Sequence, residues 1–281
     1  MKKFVSLLLA VLMVASLAAC GQKDEPVSSP DASETTDYAS MTLDELAAQL
    51  TTVTEGKLTM STNAQFPPYE MVADDGEGYE GTGFEGIDVE IAYALAQKLG
   101  LELQIDDMDF DAALAAAQEG KSDIVAAGVT VSEDRLLTMC FTDTYANGVQ
   151  VVIVPEGSDI QSVDDLAGKV IGTQRGTTGY IYCCDDFGED NVVSFDDGAT
   201  AVQNLMSGKV DCVVIDNAPA QEYVSANPGL VILDTEYANE DYAIGMAKDN
   251  ALLQAALNKA LAELKDDGTI QAIIDKYIPA E

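Results

Sequence analysis

The residues best suited to chemistry follow an apolar run, in the segment AAGVTVSEDR at 126–135. Gly128 permits a close backbone approach, Thr130 supplies a hydroxyl, and the planar guanidinium of Arg135 matches a carboxylate. Arg135 falls in the first turn of a predicted helix that Ser132 caps, where a cation opposes the helix dipole. The segment therefore predicts either a carboxylate-binding site or a surface ion pair, which is worth about 0–1 kcal/mol.

A second anion-binding segment is predicted in TQRGTTGY at 173–180, where a strand leads through a Gly/Thr-rich turn into a helix. The free backbone N–H groups of Thr177 and Thr178 favour an anion, and the same residues could instead cap the helix. The run DCVVID ends in Asp216, whose carboxylate suits an ammonium group and could also cap the next helix. The sequence thus offers binding groups for both signs of charge.

Two phenylalanines are candidates for the walls of a binding site. Phe66 lies in NAQFPPYE at 63–70, where two prolines restrict the backbone, and Phe110 begins a predicted helix in MDFDAAL. Packing into the core is the alternative for Phe66. Together with Arg135 and Asp216, the two rings would complete a site complementary to a free α-amino acid.

The composition argues against several kinds of chemistry. The sequence has no histidine and no nucleophile paired with a base, so we predict binding without catalysis, without a cofactor and without a metal. Fourteen Lys and Arg against 49 Asp and Glu give a net charge of −35, which excludes nucleic acid as a partner. Cys140, Cys183, Cys184 and Cys212 lack zinc spacing and are compatible with disulfides or with buried free thiols.

The N-terminus is typical of an export signal, with Lys2 and Lys3 followed by an apolar run that ends in LAAC. We predict a signal peptide over 1–19, lipidation of Cys20, and a disordered tether over 20–40, which is polar and without periodicity. An ordinary signal peptide with a chance cysteine is the alternative. The predicted location is extracytoplasmic, with a lipid anchor in the bacterial cell membrane.

Strand and helix patterns alternate along the rest of the chain. GKLTMST, LELQID and DIVAAG predict strands, GIDVEIAYALAQKLG and DFDAALAAAQEG predict helices, and the region after residue 168 repeats the order. Such alternation is typical of parallel sheets covered by helices. EGKSDIVAAG at 119–128 and SGKVDCVVID at 207–216 also resemble each other, since each has a Gly-Lys pair, an Asp two residues later and then an apolar run. We therefore predict two lobes of similar plan whose strand ends meet in one cleft.

Seven segments, in order, resemble the amino-acid-binding proteins of bacterial ABC importers, the solute-binding protein family 3 type. They are NAQFPPYE, GIDVEIAYALAQKLG, MDFDAAL, GKSDIVAAGVTVSEDR, GKVIGTQRGTTG, GKVDCVVID and NKALAELKDDGTIQAIIDKY, and the resemblance covers about 57–278. It implies an α/β fold, the two-lobed periplasmic-binding-protein-like fold of type II, each lobe a mixed, mainly parallel sheet flanked by helices. Lobe 1 would span 57–146 plus 239–281 and lobe 2 147–238, joined by two hinge crossings.

The resemblance also implies separate groups for the ligand's carboxylate, ammonium group and side chain. These are Arg135, Thr130, Gly128 and Thr178 for the carboxylate, Asp216 for the ammonium group, and Phe66, Phe110, Asn63 and Gln174 for the side chain. Asn63 stands where an Asp is often found, which argues against a cationic ligand, and Arg175 in the Gly/Thr turn favours an acidic or amide side chain.

The predicted function is the capture of a polar L-amino acid and its delivery to an ABC importer. The expected partners are a free amino acid and the ABC permease in the membrane, and the expected state is a monomer. Two alternatives are a secreted dehydratase-type enzyme of the same fold, with Asp216 or Glu70 as its acid, and a ligand sensor for a membrane kinase.

Overall fold

The structure of the protein is a computed structural model that describes residues 37–279. The predicted signal peptide over 1–19, the predicted lipidation site Cys20 and most of the predicted tether lie outside the described residues. Within 37–279, no helix combines the length and the apolar character that crossing a membrane requires.

The predicted alternation of strands and helices is confirmed within the described residues. The strands are β1 (Lys57–Thr62), β2 (Gln65–Phe66), β3 (Glu70–Val72), β4 (Phe84–Glu85), β5 (Glu102–Asp107), β6 (Ile124–Val125), β7 (Met139–Phe141), β8 (Ala146–Pro155), β9 (Ile171–Gln174), β10 (Val192–Phe195), β11 (Cys212–Asp216), β12 (Leu230–Ile232), β13 (Ala238–Tyr242) and β14 (Gly245–Ala247). The α-helices are α1 (Leu43–Ala47), α2 (Ile87–Lys98), α3 (Phe110–Gln118), α4 (Glu133–Thr138), α5 (Thr178–Phe187), α6 (Gly198–Met206), α7 (Asn217–Ala226), α8 (Ala251–Asp266) and α9 (Thr269–Tyr277).

The first sheet has the strand order β5-β1-β6-β14-β7. Strand β1 is parallel to both of its neighbours, with Met60 opposite Ile105 on one side and Ile124 on the other. Strand β14 is antiparallel to β6 and β7, so the sheet is mixed. Every residue of β1 after Lys57 is buried, which is typical of a parallel strand covered on both faces.

The second sheet has the strand order β10-β9-β11-β8-β12, and β13 also pairs with β8. Strand β9 is parallel to β10 and β11, whereas β8 is antiparallel to β11, β12 and β13. The β8–β13 pair, in which Tyr242 lies opposite Ala146, spans the predicted lobe boundaries after residues 146 and 238. The two sheets confirm the predicted α/β fold with two lobes, while the exact lobe boundaries stay a prediction.

The folded unit begins before the predicted lobe 1. Tyr38–Ser40 form a 3-10 helix, although the predicted tether extended to residue 40. Helix α1 has a capping box, in which Thr42 and Glu45 each bond to the other's backbone N–H. Tyr38 packs against the main apolar cluster, and Leu46 is buried within it. Burial of these apolar side chains attaches the segment to the folded body.

The four cysteines of the described residues are all free. Cys183 and Cys212 are buried in an apolar cluster of the second lobe, with Val152 and Ile171. Burial raises the pKa of both thiols, that of Cys212 to about 12. Both are therefore protonated at neutral pH and act as apolar packing groups. Of the two predicted alternatives, disulfides and buried free thiols, the structure has buried free thiols at these two positions.

We expect Leu46→Ala to lower the free energy of unfolding by about 2–5 kcal/mol, because it opens a cavity in a packed cluster. Leu137→Ala is the matched control, since Leu137 is 75% exposed and its loss should change stability by less than about 0.5 kcal/mol. Urea unfolding of both variants measures the difference. Equal stability of the two variants would show that α1 is not part of the cooperative fold.

Candidate functional site

A cavity is lined by residues of both lobes. All ten residues predicted to bind the ligand lie in its wall. They are Asn63, Phe66, Phe110, Gly128, Thr130, Arg135, Gln174, Thr177, Thr178 and Asp216. The wall also contains Glu70 and Ala127. The structure thus brings the predicted residues together in one place, while their contacts with a ligand stay a prediction.

The ends of parallel strands bring these residues to the cavity. Asn63 follows β1, Gly128 follows β6, Gln174 ends β9 and Asp216 ends β11. Strands β1 and β6 are parallel neighbours in one sheet, and β9 and β11 are parallel neighbours in the other. Because the carboxyl ends of parallel strands lie at one edge, each lobe presents two of these residues to the same cleft.

Arg135 is 8% exposed, so it is not the surface residue of the alternative explanation. Its backbone N–H donates to the N-cap Ser132, while Nη1 donates to the carbonyl of Thr130 at 2.8 Å. Nη2 donates to the carbonyl of Gly176 in the other lobe at 3.2 Å, and the guanidinium lies 5.5 Å from the centre of the Phe110 ring. Burial lowers the pKa of Arg135, which nevertheless stays protonated at neutral pH.

Asp216 is buried, and both of its carboxylate oxygens have donors from the crossing strands. Gln150 of β8 donates to Oδ2 at 2.9 Å, and the Tyr242 hydroxyl of β13 donates to Oδ1. Asp216 occupies the N-cap position of α7, but its side chain makes no capping bond. Burial, followed by the charge of Glu240, raises the pKa of Asp216 well above its usual value. The Asp216 side chain therefore lines the cavity and does not cap α7.

The two threonines of the Gly/Thr turn have different roles in the structure. Thr177 caps α5, because its Oγ1 accepts from the backbone N–H of Tyr180 at 3.2 Å. Thr178 is buried, and its Oγ1 lies 3.5 Å from Oγ1 of Thr130 in the other lobe. The capping alternative is therefore confirmed for Thr177, which still lines the cavity.

Two amide side chains connect the lobes at the cavity. Gln174 Nε2 donates to Asn63 Oδ1 at 2.9 Å, across the cleft. Asn63 in turn donates from Nδ2 to the carbonyl of Met108 at 2.9 Å, which fixes the orientation of its amide. These bonds place both amides beside the space that a ligand side chain would occupy.

Gly128 contributes space at the cavity. Its backbone N–H donates to Asp88 Oδ2 at 2.7 Å, and its contribution to binding the carboxylate stays a prediction. A Cβ atom at this position would lie 2.9 Å from the Phe66 ring. The absence of a side chain, together with a φ of 53° that favours glycine, lets Phe66 approach the backbone closely.

Comparison with known proteins then assigns the family. Residues 58–280 match the bacterial extracellular solute-binding proteins, family 3. The chain belongs to this family. Its match to the family extends over both sheets and includes all of the residues that line the cavity.

Three relatives illustrate the similarity of this solute-binding protein to known ones. It is 30% identical over 286 residues to the arginine-binding extracellular protein ArtP of Bacillus subtilis (strain 168), covering 100% of both chains. It is 31% identical over 230 residues to the L-cystine-binding protein TcyJ of Escherichia coli (strain K12), covering 80% of this chain and 84% of that one. The solved structure of an ancestral arginine-binding protein bound to glutamine matches with a TM-score of 0.74 and 38% identity, covering 81% of this chain and 100% of that one.

Glu70, like Ala127, is a cavity residue of this solute-binding protein that the sequence did not place in the ligand site. It is fully buried, no N–H or hydroxyl group of the described residues donates to its carboxyl oxygens, and its side chain lies within hydrogen-bonding reach of the Asp88 carboxyl group. Burial, followed by the charges of Asp88 and Asp216, raises its pKa well above the usual value. Its position directly after the rigid FPPY run, at the start of β3, is the local signal that could have indicated it.

Asp88 lies beside the cavity and accepts from the backbone of Gly128 and, at 2.6 Å, from the Tyr145 hydroxyl. Burial raises the pKa of Asp88 to about 6, although hydrogen bonds with Tyr145, Gly128 and the Glu70 carboxyl group oppose the shift. Arg175 has a different environment, because it is half exposed and pairs with Asp196. It is not among the residues that line the cavity, so it gives no support to an acidic or amide ligand.

We expect Glu70→Gln to become more stable relative to wild type as the pH rises from about 5 to about 7. The unfolded chain releases this proton near pH 4.3, whereas the folded protein holds it at higher pH, so wild-type stability falls by up to about 1.4 kcal/mol per pH unit. The substituted amide does not titrate. Urea unfolding across this range gives the difference in free energy.

Glu55→Gln, at an exposed carboxyl, is the control for the loss of one charge. A difference between Glu70→Gln and wild type that stays constant with pH would show that Glu70 ionises normally in the folded protein.

Proposed function

We propose that this solute-binding protein captures a free α-amino acid outside the cytoplasm and delivers it to an ABC importer. The observation that carries the proposal is the presence of a buried guanidinium and a buried carboxylate, Arg135 and Asp216, in the wall of one cavity. These are the two charged groups that the α-carboxylate and the α-ammonium group require.

The α-carboxylate would bind to Arg135 and to the Thr178 hydroxyl, and to the Thr130 hydroxyl once that hydroxyl turns away from Glu240, to which it donates in the structure. A guanidinium has five N–H donors, and the backbone carbonyls of Thr130 and Gly176 use two of them, so donors are left for a ligand. Both carbonyls also hold the guanidinium in place. A site that is already oriented loses less entropy when it binds its ligand.

The side chain of the ligand would lie between Phe66 and Phe110, which are both buried in the cavity wall. Asn63 and Gln174 would hydrogen-bond its polar end. Glu70 adds a buried carboxyl group to which no N–H or hydroxyl group of residues 37–279 donates. The cavity wall thus has two acidic groups, Glu70 and Asp216, and one cation, Arg135.

This balance favours a ligand with a cationic side chain, in contrast to the prediction from Asn63 and Arg175. A cation beside Glu70 would supply the positive charge that this buried carboxyl group lacks. One of the relatives is named as an arginine-binding protein and another as an L-cystine-binding protein. We therefore propose a basic amino acid, with arginine as the first candidate.

Capture would proceed by closure of the two lobes. Contacts already cross the cleft from Arg135 to Gly176 and from Asn63 to Gln174. A ligand that bonds to both lobes binds the closed arrangement better than the open one and shifts the equilibrium toward it. The closed protein, as a monomer anchored through Cys20, would then present the amino acid to the permease.

The dehydratase-type alternative has no support from the relatives, since none of the three is named as an enzyme. Asp216 and Glu70, the acids that it required, both line the cavity, but binding explains both positions. We propose that the protein binds its ligand without chemical change.

A thermal-shift screen of the twenty L-amino acids and cystine tests the ligand class. We expect the largest rise in Tm from arginine or lysine. At a ligand concentration one hundred times Kd, binding should raise the free energy of unfolding by about 2.7 kcal/mol. Glutamine and glutamate are the matched uncharged and anionic controls. A largest shift from glutamate would contradict the role of Glu70, and no shift from any amino acid would contradict the proposed function.

Arg135→Ala should abolish the thermal stabilisation by the ligand, with a loss of at least about 2 kcal/mol in binding free energy, because the α-carboxylate loses a buried charged partner. Arg175→Ala is the matched control, since it removes the same side chain from a half-exposed position outside the cavity. Calorimetric titration gives both affinities. Near-wild-type affinity in Arg135→Ala would rule out this site for the carboxylate.

A further inference from the structure

A second buried carboxylate lies beside Asp216 and has no role in the site described so far. Gln150 Nε2 donates to Asp216 Oδ2 at 2.9 Å and to Glu240 Oε2 at 3.0 Å. One side-chain nitrogen therefore bridges the carboxyl groups of β11 and β13. All three side chains are buried.

Glu240 is also connected to the part of the site proposed for the carboxylate. The Thr130 hydroxyl donates to Glu240 Oε2 at 3.1 Å. The other oxygen, Oε1, is buried without a hydrogen-bond partner among the described residues. Glu240 therefore has capacity for one more donor, at a point between the groups proposed for the two ends of the ligand.

No cation forms a direct ion pair with either carboxyl group within the described part of the chain, although burial raises the pKa of Asp216 and the charge of Arg135 opposes that rise. The ion pairs found there involve other residues, and the two hydrogen bonds of the Arg135 guanidinium go to backbone carbonyls. Other ionisable groups also face the pair from the elements packed around it. They are Arg135 of α4, Tyr182 of α5, Tyr242 of β13, Glu70 of β3, and Tyr69.

Two carboxylates so close together and away from water repel each other, and a single amide N–H₂ donor group does not neutralise them. A shared proton removes one of the two charges. An ammonium group removes the repulsion in another way, because it donates to both carboxylates while both stay ionised. The empty pair and the occupied pair therefore differ by one proton.

We propose that Asp216 and Glu240 together form the ammonium subsite, that the empty pair holds one proton, and that the ligand's ammonium group displaces this proton into the solvent. The inference rests on the proposed function. The carboxyl O–H bond breaks, the proton passes to water or buffer, and the ligand keeps its three N–H bonds. Glu240 is then a specificity-determining residue, since the pair selects a cationic amino group over a neutral one.

The affinity for the amino acid should consequently depend on pH. Below the pH at which the empty pair loses its proton, binding releases up to one proton, and the association constant rises by up to about tenfold per pH unit. Above that pH, no proton is released and the association constant no longer changes from this cause.

Titration calorimetry of the full chain with L-arginine, or with whichever amino acid ranks first in the thermal screen, tests the inference. Measurements from about pH 5 to about pH 8, in buffers of different ionisation enthalpy, count the protons released. We expect wild-type protein to release close to one proton from the pair at the acidic end, besides any proton that a cationic side chain displaces from Glu70. Binding without proton release in wild type would overturn the inference and leave the proposed function intact, whereas no binding of any amino acid would overturn both.

Glu240→Gln keeps the size of the side chain and removes its charge, so we expect it to release about one proton fewer than wild type and to show an affinity that changes about tenfold less per pH unit. Glu55→Gln, which removes an exposed carboxyl group outside the cavity, is the control and should release as many protons as wild type does. Loss of the release in Glu70→Gln, with the release retained in Glu240→Gln, would assign the proton to Glu70 and overturn the inference.

Discussion

The burial of Asp216 at the end of β11 constrains the elements around it. A carboxylate without water needs hydrogen-bond donors, and the two crossing strands provide them through Gln150 and Tyr242. The path of the Tyr242 ring requires Gly148, because a Cβ atom there would collide with the Tyr242 hydroxyl. One charged group thus specifies side chains on β8 and β13, which also connect the two lobes.

The same principle applies at the other end of the cavity, where a buried cation replaces the buried anion. Arg135 is held by backbone carbonyls from both lobes, so its position depends on how closely the lobes approach. The polar groups of the cavity wall form a layer to which both lobes contribute. Because the layer contains partners from both sides, binding of a ligand and closure of the lobes are coupled.

The family resemblance and the cavity together explain how one fold serves different ligands. The sheets and helices are specified by apolar residues, whereas the cavity wall is made by the residues that end the strands. Asn63, for example, lies just after β1 and outside the strand pairs, so its exchange would change the polarity of the wall without altering a paired position. Differences in the cavity wall are therefore compatible with two relatives about 30% identical to this chain being named after different ligands, arginine and L-cystine.

Local sequence patterns were sufficient to predict the elements and the position of the site. The apolar run of β1 and the helical periodicity of α2 are properties of a few consecutive residues, and both elements form where they were predicted. The similarity between segments 119–128 and 207–216 predicted that Gly128 and Asp216 would occupy equivalent positions in the two lobes, and both line the cavity. Fold class and site position could be predicted because strand ends meet wherever parallel strands pair.

Only the tertiary structure decided which bonds these residues make. Gly128 gives its amide to Asp88, Arg175 pairs with Asp196 outside the cavity, and the Asp216 side chain does not cap α7. The position of Glu70 in the cavity also depends on the packing of β3 between other elements. The deciding contacts join residues far apart in the chain, such as Gln174 and Asn63, 111 positions apart. Burial and hydrogen-bond partners depend on those distant residues, and no local pattern contains them.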